Sequence, residues 1–271
     1  MKKQSIFVAG GGWLGAPLAA HLVQRGHRVV ATARRPEALG ELTALGAIAR
    51  PLELDGSEVN AELLSGIDVL VVCVPPGRGE QTLPFWQRLQ PLLSAARAAG
   101  VQQALFTSAT SVYGGQIGWV DEASDTDDSS RARIMLQAEQ LFQKQFAGRA
   151  TVLRLSGLVG GVRHPGRFLA GKKQVAGGLD PVNLVHRHDV IAAICAVIDQ
   201  QAWGKIYNLA SPHHPNRADY YRFCARVLGL QEPEFVLGQD KPRWCNGGRI
   251  CRELNWQYRY DDLYQLPELM R

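Results

Sequence analysis

The chain has 271 residues, 46% hydrophobic and 20% charged, with a net charge of +5. That is enough for one large core, or a main domain with a smaller appended one, and it argues against a disordered or fibrous chain. The arginines are scattered rather than clustered, which argues against nucleic-acid binding. The longest apolar run, Val69 to Pro76, falls far below the ~20 residues of a membrane span.

Two lysines precede the first apolar stretch, but that stretch is short and turns glycine-rich at once, so no signal peptide is expected. Ser5–Ala9 reads as a strand. It runs into Gly10-Gly11-Gly12-Trp13-Leu14-Gly15, and Leu14, Leu18 and Leu22 then repeat at helical spacing. Gly10, Gly12 and Gly15 satisfy GxGxxG. The first glycine permits the tight turn, the second lets backbone approach a pyrophosphate, and the third lets the helix pack close to the strand. The amides of the new helix, including those of Trp13 and Leu14, then face an anion at its positive dipole end. A dinucleotide site is the expectation.

The second strand, Arg28–Ala33, ends in Ala33-Arg34-Arg35. An NAD site expects an acidic residue there for the ribose 2′-hydroxyl. Ala33 stands at that position, and a guanidinium just beyond it suits a 2′-phosphate. The expected cofactor is NADP(H), led by Arg34 and Arg35, with NAD as the alternative. The competing reading makes both arginines solvated turn residues. Asp55 follows the third strand, where it can accept from an adenine amino group or cap a helix N-terminus. A strand at Val69–Val74 brings Val74 and Pro75 to the cofactor edge. The next strand, Ala104–Thr107, brings Thr107 and Ser108 there.

Helical segments near Leu83–Ala99 and Arg131–Phe146 and a strand at Thr151–Leu155 continue the alternation. Residues 156–183 are glycine-rich and basic without a period. A helix at Asp189–Gln200, a strand at Lys205–Leu209 and a helix near Asp219–Leu228 follow. Alternating strands and helices imply an α/β chain, a Rossmann-like doubly wound parallel sheet. Residues 1–160 form the dinucleotide-binding domain, completed by about 183–210. Residues 161–182 and 211–271 form a small C-terminal substrate-covering part. The five cysteines lack CxxC spacing and read as reduced thiols of a cytoplasmic protein. His186 and His188 share a strand face without a third ligand, so no metal is expected.

Four further segments carry a resemblance: Thr107-Ser108-Ala109-Thr110-Ser111-Val112-Tyr113-Gly114, Arg154-Leu155-Ser156-Gly157-Leu158-Val159-Gly160, Val185-His186-Arg187-His188-Asp189-Val190, and Ile206-Tyr207-Asn208-Leu209. With the glycine turn, they resemble the extended short-chain dehydrogenase/reductase family, which includes the NAD(P)-dependent sugar-nucleotide epimerases and dehydratases. The resemblance implies hydride transfer at a nicotinamide, a small-molecule substrate such as a nucleotide sugar, and a homodimer built on the two helices near Leu83–Ala99 and Arg131–Phe146. It also implies a catalytic Ser/Thr, Tyr and Lys. Those positions fall here on Ala109, Arg131 and Met135, so the chain resembles an atypical member. Ser108, Thr110 and Tyr113 are the substitute catalytic candidates, with His164 and His186 as further acids. A non-catalytic NADP(H)-binding sensor is the rival reading.

Overall fold

The computed structural model describes residues 3–77, 83–236, 238 and 240–270. In chain order the elements are β1 (Ser5–Ala9), α1 (Gly15–Gln24), β2 (Arg28–Ala33), α2 (Pro36–Ala44), β3 (Ile48–Pro51), β4 (Val69–Val72), α3 (Phe85–Ala98), β5 (Gln103–Ala109), β6 (Gly118–Val120), α4 (Ser130–Gln145), β7 (Ala150–Leu155), β8 (Gly157–Val159), α5 (Gly166–Leu169), β9 (Leu184–His186), α6 (Arg187–Asp199), β10 (Ile206–Leu209), α7 (Arg217–Val227), β11 (Arg243–Cys245), α8 (Gly248–Leu254) and α9 (Leu266–Leu269).

Seven strands form one sheet in the order β10-β7-β5-β4-β1-β2-β3. β1 pairs in parallel with both β2 and β4, placing Phe7 beside Val30 and Leu70. β2–β3 and β4–β5 are parallel as well. Ile6, Phe7, Val8, Ala9 and all of β4 are fully buried. A parallel strand covered on both faces has no solvent side, so it reads as an unbroken apolar run. α1 packs on α2, and α3 on α4. This is the Rossmann-like α/β fold expected from the alternation.

The chain divides into two compact units. The first comprises residues 1–112, 129–153 and 194–206. Its interior includes the stacked rings of Phe106 and Phe142, whose centroids lie 4.7 Å apart. The second comprises 113–128, 154–193 and 207–271. The sequence drew its boundary at 160, whereas the second unit here begins at Tyr113. The reason is a pairing that sequence spacing cannot show: β6 joins β11 in a parallel ribbon, and these strands lie more than a hundred residues apart in the chain. β8 and β9 form a second parallel ribbon. Val159, Val182, Leu184, Tyr220, Cys224, Leu263 and Leu266 make the second unit's apolar centre.

Two strand ends differ from the sequence expectation. β4 stops at Val72, because Pro75 and Pro76 cannot donate to a ladder, although Cys73 still donates to Ala9 O at 2.9 Å. β5 extends to Ala109 and passes directly into a 3-10 turn, Thr110–Tyr113. The cysteines are free, and burial pushes the Cys73, Cys224 and Cys245 thiols up to about 12. Such thiols are unreactive at neutral pH.

Candidate dinucleotide-binding site

The turn after β1 is built around its glycines. Gly10 has φ +98°, and a Cβ on it would stand 2.7 Å from Val74 Cγ2. An L side chain there is strained in backbone and crowded at once. Gly10 N donates to Thr32 Oγ1 at 3.3 Å, and Gly11 N donates to Thr32 O at 2.6 Å. The buried end of β2 therefore holds the turn in place. A Cβ on Gly15 would stand 2.0 Å from Gly10 O, so α1 packs directly on the turn. At Gly12, by contrast, a Cβ would meet nothing within 4 Å. Its bare face is the open side of the cradle.

α1 starts at this turn with no side chain capping it. A helix N-terminus has orphan amides and a positive dipole end, which together suit a phosphate. Leu14, the N-cap residue, is buried, and Trp13 is half-buried. The residues fit a dinucleotide on this structure's own terms: an open glycine face, an uncapped helix start and a neighbouring strand end carrying cations.

That strand end is the end of β2. Arg34 is exposed, and its Nη1 lies 3.8 Å from Glu53 Oε1, with the two side chains 74% and 65% exposed. A pair this open contributes about 0–1 kcal/mol, so Arg34 is available to a stronger partner. Arg35 is exposed at the N-cap of α2, with Pro36 following at the first helical position. Asp55 caps no helix. Its Oδ1 accepts from Ser57 N at 2.9 Å in an Asx turn, which holds its carboxyl below the usual range. Asn60 is the residue that caps the next helical turn, accepting from Glu62 N. The helix-cap alternative for Asp55 is thereby corrected.

Val74 is half-buried against Gly10, and Pro75 is exposed. Thr107 donates through Oγ1 to Val72 O at 3.2 Å. Ser108 is buried, and its hydroxyl donates to Glu139 Oε1 at 2.5 Å. Glu139, on α4, is 3% exposed and was not singled out in the sequence. A carboxylate inside the apolar stripe of Ala132, Met135, Ala138 and Phe142 was the available signal. Thr110 is buried, Ala109 half-buried, Met135 buried and Arg131 exposed.

Tyr113 belongs to the second unit and is fully buried there. Its hydroxyl donates to Asn208 Oδ1 at 2.9 Å and accepts from Arg154 Nη1 at 3.0 Å. Burial raises its pKa. A phenol engaged in this way holds a loop and is a poor proton donor. In the same unit, His164 accepts from Gly166 N through Nδ1, and its Nε2 lies 2.9 Å from Pro267 O. His186 is buried, with its ring 3.9 Å from that of Tyr260. Asp189 accepts from Arg259 N at 2.9 Å and from Tyr260 N at 3.2 Å, tying down the C-terminal segment.

A sequence profile described as NAD(P)H-binding matches residues 10–201, from the glycine turn to just past α6. The chain belongs to this NAD(P)H-binding family. Protein YeeZ of Escherichia coli (strain K12) is 36% identical over 275 residues, covering 98% of this chain and 99% of that one. Among solved structures, a functionally unknown conserved protein from Silicibacter pomeroyi aligns with TM-score 0.80 and 24% identity, covering 99% of this chain and 98% of that one. UDP-glucuronic acid 4-epimerase from Bacillus cereus, in complex with NAD, aligns with TM-score 0.80 and 19% identity, covering 97% and 96%. MoeE5, in complex with UDP-glucose and NAD, gives 0.78 and 21%, covering 98% and 97%. The chain shares its fold with this epimerase and with MoeE5, as the motifs implied. Among the described residues, no group of three or more His, Cys, Asp or Glu is arranged to hold a metal ion, and no helix is long and apolar enough to cross a membrane.

Proposed function

We propose that this family member binds NADP(H) in preference to NAD(H) and uses it as an atypical short-chain dehydrogenase/reductase. The observation that carries the preference is the end of β2: Ala33 where an acidic residue would hold a 2′-hydroxyl, then Arg34, whose ion pair with Glu53 is long and solvent-exposed. Arg34 takes the 2′-phosphate, the turn at Gly12 admits the pyrophosphate, and Val74, Pro75 and Thr107 line the strand ends beside it. A bound nicotinamide dinucleotide supplies a hydride donor or acceptor. The substrate class is a small carbonyl compound or a nucleotide sugar, the latter by analogy with MoeE5 and the Bacillus cereus epimerase. The chain acts in the cytoplasm, as a homodimer whose interface is built on α3 and α4, two helices that are neighbours within one chain.

The test is titration of NADPH and NADH into wild type and Arg34→Ala. Loss of charge-assisted bonds of about 1.5–3 kcal/mol weakens NADPH by roughly 10- to 100-fold and leaves NADH nearly unchanged. Unchanged NADPH affinity in the variant sinks the assignment.

A second reading, a non-catalytic NADP(H) sensor, is favoured by Met135, which is buried, and Arg131, which is exposed. Neither can move a proton at neutral pH. Steady NADPH oxidation with any member of a carbonyl and nucleotide-sugar panel decides for the enzyme. Tight NADPH binding with no turnover and no hydride exchange across that panel decides for the sensor.

A further inference from the structure

Arg88 lies in the first turn of α3, in the first unit. Its Nη2 donates to Pro76 O at 2.5 Å, and its guanidinium lies 5.4 Å from the Phe85 ring centroid. These contacts hold the side chain against the segment that leaves β4. Its Nε is buried and has no hydrogen-bond partner among the described residues. No carboxylate among them pairs with it. The charged neighbour it does feel is Arg34, and burial together with that like charge holds its pKa below the usual arginine value.

The sheet order makes this juxtaposition informative. β4 and β2 are the two neighbours of β1. Arg88 is fixed beside the segment after β4, and Arg34 stands at the end of β2. The two cations therefore come within electrostatic reach of each other across the C-terminal end of β1, from which the glycine turn departs. Two guanidinium groups within electrostatic reach of one another repel, and an anion between them relieves that repulsion. The amides of the glycine turn serve a pyrophosphate. A second anion site beside the ribose position calls for a group with its own charge and several acceptor oxygens.

We propose that Arg88 is a second anchor for the 2′-phosphate, acting with Arg34 as a two-arginine clamp that sets NADP(H) over NAD(H). The clamp rests on the NADP(H) reading given above and adds to it a residue from a different element. A phosphomonoester carries nearly two negative charges at neutral pH. Standing between the two guanidinium groups, it turns their repulsion into a shared attraction. Fork geometry matters here, because lysine offers a point charge without a guanidinium's paired donors.

The experiment is calorimetric titration of NADPH, NADH, 2′,5′-ADP and 5′-ADP into wild type, Arg34→Ala, Arg88→Ala, Arg88→Gln, Arg88→Lys and the double alanine variant. Each protein is first checked for folding by circular dichroism and thermal melting. For Arg88→Ala and Arg88→Gln, NADPH and 2′,5′-ADP weaken by roughly 10- to 100-fold, and NADH and 5′-ADP by less than about threefold. Arg88→Lys recovers only part of the loss. In the double variant the two losses do not add, because both act on one phosphate.

Equal weakening of NADPH and NADH overturns the clamp and assigns Arg88 to the pyrophosphate or to loop shape. Unchanged affinities with a lowered melting temperature overturn it in favour of a purely structural bond to Pro76. Wild type with no preference for NADPH overturns the underlying NADP(H) reading, and the clamp with it. Retained preference, lost in Arg34→Ala but intact in every Arg88 variant, overturns the clamp alone.

Discussion

Two glycines of the same turn answer differently to the same methyl group, and Gly12→Ala against Gly15→Ala tests what each is for. At Gly15 the added Cβ stands 2.0 Å from Gly10 O and 2.9 Å from Gly10 C, both backbone atoms that cannot swing aside. Ordinary contact begins near 3.4 Å, so α1 must retreat by about 3.4 − 2.0 = 1.4 Å. Leu18, Ala19 and Leu22, all fully buried, retreat with it. Overpacking of this kind costs about 1–3 kcal/mol. At about 2–4 °C per kcal/mol for a chain of this size, Tm falls by about 2–12 °C. At Gly12 the Cβ meets nothing within 4 Å, and the backbone lies outside the left-handed region. Stability there changes by no more than about 0.5 kcal/mol, and the unfolded chain's lost freedom makes the variant neutral or slightly more stable. The methyl nevertheless occupies the face a pyrophosphate must approach, so NADPH weakens by about tenfold or more. Differential scanning fluorimetry and NADPH titration read the two effects separately. Wild-type NADPH affinity in a folded Gly12→Ala protein refutes the placement of the dinucleotide over this turn. An unchanged Tm in Gly15→Ala refutes the packing argument.

Ser108→Ala removes the donor to buried Glu139 and lowers stability by about 1–3 kcal/mol. If turnover falls with no loss of Tm, Ser108 acts on substrate instead. In the second unit, burial lifts the Asp189 carboxyl from its ordinary 3.8 to about 6, while burial and the nearby His188, Arg187 and Arg259 hold His186 at about 4 instead of 6.5. The folded chain keeps the Asp189 proton that the unfolded chain releases, so this group lowers stability as pH rises from about 4 to about 6. The unfolded chain gains the His186 proton first, so that group lowers stability as pH falls from 6.5 to about 4. The slopes oppose, and Asp189→Asn leaves the histidine slope alone. Urea unfolding between pH 4 and 6.5 then rises more steeply with pH in the variant, by up to about 3 kcal/mol across the window. Parallel pH profiles for variant and wild type contradict the assignment.

What the sequence made legible was whatever a local spacing carries. GxGxxG with an apolar strand before it and leucines at helical spacing after it is a statement about one short consecutive stretch, Ser5 to Leu22, and the structure repeats it in β1, the turn and α1. The end of β2 was legible for the same reason, because Arg34 and Arg35 follow the strand directly. What escaped was pairing across the chain. Glu139 meets Ser108 over 31 residues. β6 meets β11 only after the chain has completed the seven-stranded sheet. Arg88 gains meaning from Arg34, an arginine 54 positions earlier. Asp55 shows the converse, a local signal with two readings, where a nearby backbone amide, Ser57 N, took the carboxylate before any helix began. Short polar side chains bond locally when they can, and that option is visible in a sequence only as a possibility among others.

The inward face of α4 connects these findings. Met135 and Glu139 are one helical turn apart, so both lie on the stripe that also carries Ala132, Ala138 and Phe142. In the family the chain resembles, the lysine position on this stripe supplies a cation next to the cofactor. Here that position is an apolar side chain 6% exposed, and the charged group one turn along is a carboxylate held by Ser108. A Glu–Ser hydrogen bond inside an apolar stripe ties α4 to the end of β5. The glycine turn and the arginines at the strand ends depend on none of these residues. On the proposed reading, dinucleotide binding and the family's proton chemistry fall on separable parts of the first unit, so the first can persist where the second has been replaced. The proposed NADP(H) reading predicts that NADPH affinity responds to substitution at Gly12, Arg34 and Arg88, and that any turnover draws on a proton source outside the α4 stripe.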